Sequence, residues 1–210
     1  MAQSQHSSIA TEGWHLLLGS IVLVIILHVI FGNIVWPSWS LVLFVGWLLR
    51  DPQRKVPSAP LGLISPVDGK VLFAGEGKDP YLGTEAHKIS ISMSRTGAFS
   101  LRSATEGTVM QHWMGENIPH GVGHSHAVWI QTDEEDDVVL ALHPGRFFNK
   151  IACYMSTGER VGQGRRCGYI PLGAQLDIYL STDVPLEVKA GDKVRSGESI
   201  IAHFVHKKSA

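Results

Sequence analysis

The sequence predicts a mainly β domain carried behind an N-terminal α-helical membrane hairpin. Apolar content is an ordinary 44%, but residues 14–49 hold only two ionisable side chains, His15 and His28. From Gly62 onward, short β-prone runs are punctuated by glycine, proline and aspartate, and no long 3.6-residue period appears after residue 50. The 210 residues divide into a tail with a two-helix anchor (1–50), a linker (51–61) and a β domain (62–210). That length suits one compact domain plus an appendage.

The anchor begins with Trp14–Gly32, 19 almost wholly apolar residues, and resumes after Asn33 with Ile34–Leu49. A spanning helix needs about 20 apolar residues at 1.5 Å rise each, so the first run suffices and the second is short. Pro37 suits a helix start, where its missing N–H sacrifices no bond. Trp14, Trp36, Trp39 and Trp47 lie near the ends, where indoles favour the interface. A cleaved signal peptide fits poorly, because no Lys or Arg precedes the run and no Ala-x-Ala site follows it. A single span with an interfacial segment and a buried soluble hairpin are the other readings. Arg50, Arg54 and Lys55 follow the second run, and the tail and turn carry no Lys or Arg. Positive-inside reasoning therefore puts residues 50–210 in the cytoplasm, at the cytoplasmic membrane.

Strands are expected at Gly69–Phe73, His87–Met93, Gly107–Gln111, Ala127–Gln131, Val138–His143, Asn149–Met155, Leu176–Leu180 and Ser199–Phe204. The acidic run Asp133–Asp137 reads as a solvated turn. Ser65–Val71 and Val188–Glu198 resemble the two arms of biotinyl/lipoyl-type hybrid motifs, with glycines permitting tight turns. The sheet domain is thus barrel-like or sandwich-like. A carrier module would need Lys70 at an exposed hairpin tip, yet a strand follows it directly.

A net charge of −1 gives no sign of nucleic-acid binding. Cys153 and Cys167 lack metal-ligand spacing and read as reduced thiols, in keeping with a cytoplasmic domain. His120, His124 and His126 invite a metal, but no carboxylate or cysteine completes a recognised spacing, so turn or surface histidines are expected and no metal site.

Gly168–Leu180 reads Gly-Tyr-Ile-Pro-Leu-Gly-Ala-Gln-Leu-Asp-Ile-Tyr-Leu. It resembles the self-cleavage segment of short bacterial phosphatidylserine decarboxylases, Gly-x-Ile-x-Phe-Gly-Ser-x-Val-Asp-x-Tyr-Leu. The resemblance covers roughly residues 10–205. It includes Ser65-Pro-Val-Asp68-Gly69 against Ser-Pro-x-Asp-Gly and Leu49–Pro57 against Phe-Arg-Asp-Pro-Glu-Arg. Gly158–Gly164, Val188–Val194 and Gly197–Ala202 continue the series. It implies a phosphatidylserine decarboxylase-like fold, and an activity converting phosphatidylserine to phosphatidylethanolamine and CO₂ in phospholipid biosynthesis.

The resemblance also implies a site. Asp68 would serve acid/base chemistry, Gly173 would supply the cleaved carbonyl, and position 174 would become the pyruvoyl cofactor. Here Ala174 stands where the family has serine. Phe99, in Met93–Arg102, stands where the family's Met-Ser-Pro-x-Asp-Val-His-Val-Asn-Arg has its histidine. Alanine has no oxygen to attack the Gly173 carbonyl, and phenylalanine exchanges no proton. Ser181 and Cys167 each lie seven positions from position 174 and do not occupy the junction. The expectation is a proenzyme-like member in which no pyruvoyl group forms, with a phospholipid membrane and an amino-phospholipid as partners, and a homo-oligomer or an active homologue as a possible associate. The rivals are a working decarboxylase of departing chemistry, a non-catalytic lipid-binding or regulatory homologue, and the carrier module.

Overall fold

A computed structural model describes residues 14–48, 54–57, 59, 61–94, 98–115, 126–145, 151–170 and 174–205. The chain forms two compact units, residues 1–53 and 54–210.

In the first unit, α1 spans Trp14–Phe31, a 3₁₀ segment covers Gly32–Ser38, and α2 spans Trp39–Leu48. Gly32 at φ 62° supplies the left-handed residue that ends α1. The helices fold back on each other: a Cβ on Gly46 would lie 3.7 Å from Leu17 Cδ1. Pro37 sits inside the 3₁₀ segment, so α2 starts two residues after it. Among the described residues, Leu17–Ile34 is the one helical stretch long and apolar enough to cross a membrane. At ten residues α2 is about 15 Å long, about half a hydrocarbon core. The expected hairpin is present, with a second leg shorter than a span.

The second unit is built from strands β1 (Gly62–Ile64), β2 (Gly69–Lys78), β3 (Glu85–Met93), β4 (Ser100–Arg102), β5 (Gly107–Met114) and β6 (His126–Gln131). They continue with β7 (Asp137–His143), β8 (Ala152–Cys153), β9 (Arg160–Val161), β10 (Arg166–Tyr169), β11 (Gln175–Ser181), β12 (Lys193–Val194) and β13 (Ile200–His203). Eight of them form one antiparallel sheet in the order β12-β2-β3-β11-β7-β6-β5-β9. Smaller sheets pair β1 with β13 and order β4-β10-β8. The main core includes Leu63, Ile89, Leu140, Leu176, Ile178 and Ile201, all fully buried. A second cluster, with Trp113 and Tyr179, lies apart from it and packs Tyr81 and Trp129.

Most expected strands are present and longer than their sequence runs. The expected Asn149–Met155 strand contracts to Ala152–Cys153, and residues 149–150 lie outside the described residues. The acidic run forms the expected solvated turn, with Asp133–Glu135 exposed and Asp136 and Asp137 half-buried. Asp137 accepts from Trp129 Nε1 at 2.8 Å and Gln131 Nε2 at 3.1 Å, and Asp133 pairs with Arg160. The two hybrid-like arms pair directly, Lys193 opposite Lys70 and Val194 opposite Gly69.

Candidate functional site

Asp68 ends the turn that follows β1. Ser65 Oγ donates to the Val67 carbonyl at 2.8 Å, and Ser196 Oγ donates to the Pro66 carbonyl at 2.9 Å. The turn is thereby fixed from within and from the β12–β13 connection. The following Gly69 is required by close approach, since a Cβ there would sit 2.3 Å from the Ser92 carbonyl oxygen.

The carboxylate is buried and accepts from three directions. Arg54 Nη2 lies 2.8 Å from Oδ2, the Ala98 N–H donates to Oδ2 at 3.0 Å, and the Ser196 N–H donates to Oδ1 at 2.7 Å. Arg54 also approaches Glu198 at 3.6 Å. A buried carboxylate needs this saturation, because an unpaired charge is expensive to desolvate. Arg54 enters the sequence reading as a membrane-flanking charge and as part of the Leu49–Pro57 resemblance, with no partner named; its place against Asp68 comes from tertiary structure.

A cleft of about 410 Å³ opens over this carboxylate, lined among others by Arg54, Asp68, Lys70, Ser92, Lys193 and Arg195. Its charged lining is four cations, Arg54, Lys70, Lys193 and Arg195, against the one carboxylate, which suits an anionic or zwitterionic headgroup.

Phe99 and Ala174 approach the same place from the core side. The Ser94 N–H donates to the Asp68 carbonyl at 2.8 Å, and the adjacent Met93 N–H donates to the Ala174 carbonyl at 3.0 Å. Ala174 is 1% exposed and Phe99 4%. The Phe99 ring meets Tyr169 edge-on, with centroids 6.2 Å apart, and its carbonyl accepts from the Ile170 N–H at 2.8 Å. Asp68, Phe99 and Ala174 are therefore gathered at one locus; Gly173 lies outside the described residues. A pyruvoyl group is made from the atoms of a serine, and the Ala174 side chain is a methyl. The residues present do not supply the hydroxyl that attacks the preceding carbonyl and then leaves in the elimination.

His120 and His124 lie outside the described residues, while His126 opens β6. Among the described residues no three His, Cys, Asp or Glu side chains gather as a metal site would require. Cys153 and Cys167 are free, and burial pushes both thiols up.

One polar group within the matched segment Gly168–Leu180 was given no role in the sequence reading. Asp177 lies mid-β11 and is 1% exposed. It is held by Lys88 Nζ at 2.8 Å, His143 Nε2 at 3.2 Å and Gln175 Nε2 at 3.0 Å. The available signal was an acid inside the apolar run Leu176–Leu180, which burial permits only with partners.

Residues 41–202 match the family model described as phosphatidylserine decarboxylase. The chain is 32% identical over 209 residues to a phosphatidylserine decarboxylase proenzyme of Nitrosomonas eutropha, covering 95% of this chain and 96% of that one. It is also 32% identical to one of Cupriavidus metallidurans, covering 94% and 95%. Among solved structures, the glucose permease IIA from Mycoplasma capricolum aligns with 68% of this chain and 94% of its own. The TM-score is 0.45 and the identity 18%, a likeness too slight to carry an argument.

Proposed function

The chain belongs to the phosphatidylserine decarboxylase family, and from that premise we propose a membrane-anchored, cytoplasm-facing member that keeps an amino-phospholipid site without processing itself to the pyruvoyl form. Family membership ties it to phospholipid biosynthesis. The observation that carries the proposal is Ala174, a methyl side chain sealed in the core at the position read as the processing serine. Self-cleavage starts when a hydroxyl attacks the preceding carbonyl, and no such oxygen exists at that position. Phe99 supports the same reading, because a ring packed on Tyr169 moves no proton.

Ligand binding needs less than catalysis does. The Asp68–Arg54 pair and the cationic cleft require no cofactor to bind a headgroup carrying phosphate, carboxylate and amine. Free cysteines and the basic residues after the second apolar run favour the cytoplasmic side. A chain of this kind would act through lipid binding, alone or with a processing-competent homologue.

The test is the intact mass of the protein purified from membranes. A single species near 23.0 kDa is expected. Two pieces divided after Gly173 would overturn the proposal.

A further inference from the structure

Against β3, the register of β2 slips at Leu72. Val71 pairs with Ile91 and Phe73 with Ser90, leaving Leu72 as an extra residue. Such a bulge breaks the strict alternation of a strand and re-aims its side chains. Leu72 is 51% exposed and Phe73 46%, so two successive apolar side chains face out.

The same pairing puts cations beside them. Lys70 stands opposite Ser92 and Phe73 opposite Ser90; the two serines are two residues apart, so Lys70 and Phe73 share a face. Lys193 stands directly across from Lys70 on that face. Lys189 precedes a turn whose Gly191 N–H donates to the Val71 carbonyl at 2.8 Å. Lys70, Lys189, Lys193 and Arg195 are all exposed. The nearby acids are largely engaged: Asp192 accepts from the Lys189 N–H at 2.9 Å, and Glu198 faces Arg54 and Arg195. Exposed Glu76 lies farther along β2.

We propose that the Leu72–Phe73 bulge and its rim of Lys70, Lys189, Lys193 and Arg195 dock on an anionic bilayer surface, turning the mouth of the Asp68 cleft toward lipid headgroups. The inference rests on the membrane reading above and adds the surface of the β domain that meets the lipid. Two apolar side chains are far too little for a protein partner, since a standard interface takes ~800 Å² from each side. An apolar wedge within a basic ring is instead what an anionic interface recognises. The rim also belongs to the cleft: Lys70, Lys193 and Arg195 line it.

The experiment uses the full chain in lipid nanodiscs of phosphatidylcholine alone or mixed with phosphatidylglycerol, read by amide hydrogen exchange. Amides of residues 72–75 are expected to exchange about ten-fold more slowly in the anionic discs. The combined Lys70→Glu and Lys193→Glu variant is expected to lose that difference while the amides of β11 stay equally protected. Equal exchange in the two lipids overturns the proposal. So does protection that follows protein concentration instead of lipid charge, which marks a second copy as the occupant. Separate thermal-shift titration with phosphatidylserine tests the cleft itself, so loss of docking with headgroup binding intact sinks only this inference. Failure of the chain to enter nanodiscs at all sinks the membrane reading.

Discussion

On one side of the candidate site Asp68 accepts from Arg54, Ala98 and Ser196; on the other, Phe99 and Ala174 lie in the core with no polar side-chain atom. Both sides meet at Met93 and Ser94. The difference separates two reasons for a residue to stand in a family motif. Asp68 ties Arg54 before β1, Ala98 just before β4 and the turn after β12 to one carboxylate, so the fold needs it with or without chemistry. No hydrogen bond in the sheet needs a hydroxyl at position 174, because its backbone carbonyl alone meets Met93.

The largest effect should come from rebuilding the apolar side. Ala174→Ser supplies the missing oxygen, and Phe99→His supplies a group that transfers protons. General acid–base assistance contributes about 10²–10⁴-fold, so the single Ala174→Ser variant is expected to cleave at least ~100-fold more slowly than the double variant. Fragment appearance on denaturing gels measures both rates. Equal rates would break the comparison, because Phe99 would then be irrelevant.

Next in size is the polar side. Asp68→Asn removes the nearer of the two anions facing Arg54, leaving only Glu198 at 3.6 Å, in a site where the Asp68 and Arg54 side chains are mostly buried. Breaking a buried pair costs about 3 kcal/mol, which for a domain of this length lowers Tm by roughly 6–12 °C. Calorimetry that showed no loss would mean that Asp68 is kept for chemistry, reversing the assignment.

The smallest effect sharpens the comparison by isolating a bystander. His112 and His126 lie with ring centroids 6.1 Å apart on the β5–β6 ladder. Burial lowers both, and His126 lowers His112 further. Because the folded state disfavours their protonation, the unfolded chain binds more protons below pH 6.5. Their contribution to stability is present above that pH and lost as pH falls through the lowered values. The drop in Tm between pH 6.5 and 5 should flatten in His112→Gln. An unchanged slope would place the acid sensitivity elsewhere.

How much of this was legible in the sequence depended on how local each signal is. The long strands show in their own apolar content, as in Val138–His143 and Leu176–Leu180. β1, β9 and β12 do not, because two or three residues become a strand only through distant partners, such as Gly62 opposite His203. Asp68, Phe99 and Ala174 were named through motif resemblance, and backbone hydrogen bonds set these positions near one another. The donors to Asp68 were not: two are backbone N–H groups, which any residue carries. Arg54, 14 positions away, looked like a topology signal. Asp177 was hidden for a related reason, since Lys88 and His143 reach it only across the β3-β11-β7 pairing.

That pairing has a further consequence. β11 begins one residue after Ala174 and is zipped between β3 and β7 along nearly its whole length. A nick immediately before it would therefore free a chain end without freeing a fragment. The shorter piece would remain the central plank of the sheet, and a native gel or a sizing column would give one particle whether or not the backbone were whole. Any claim about the covalent state of this protein has to be made after the sheet has been taken apart.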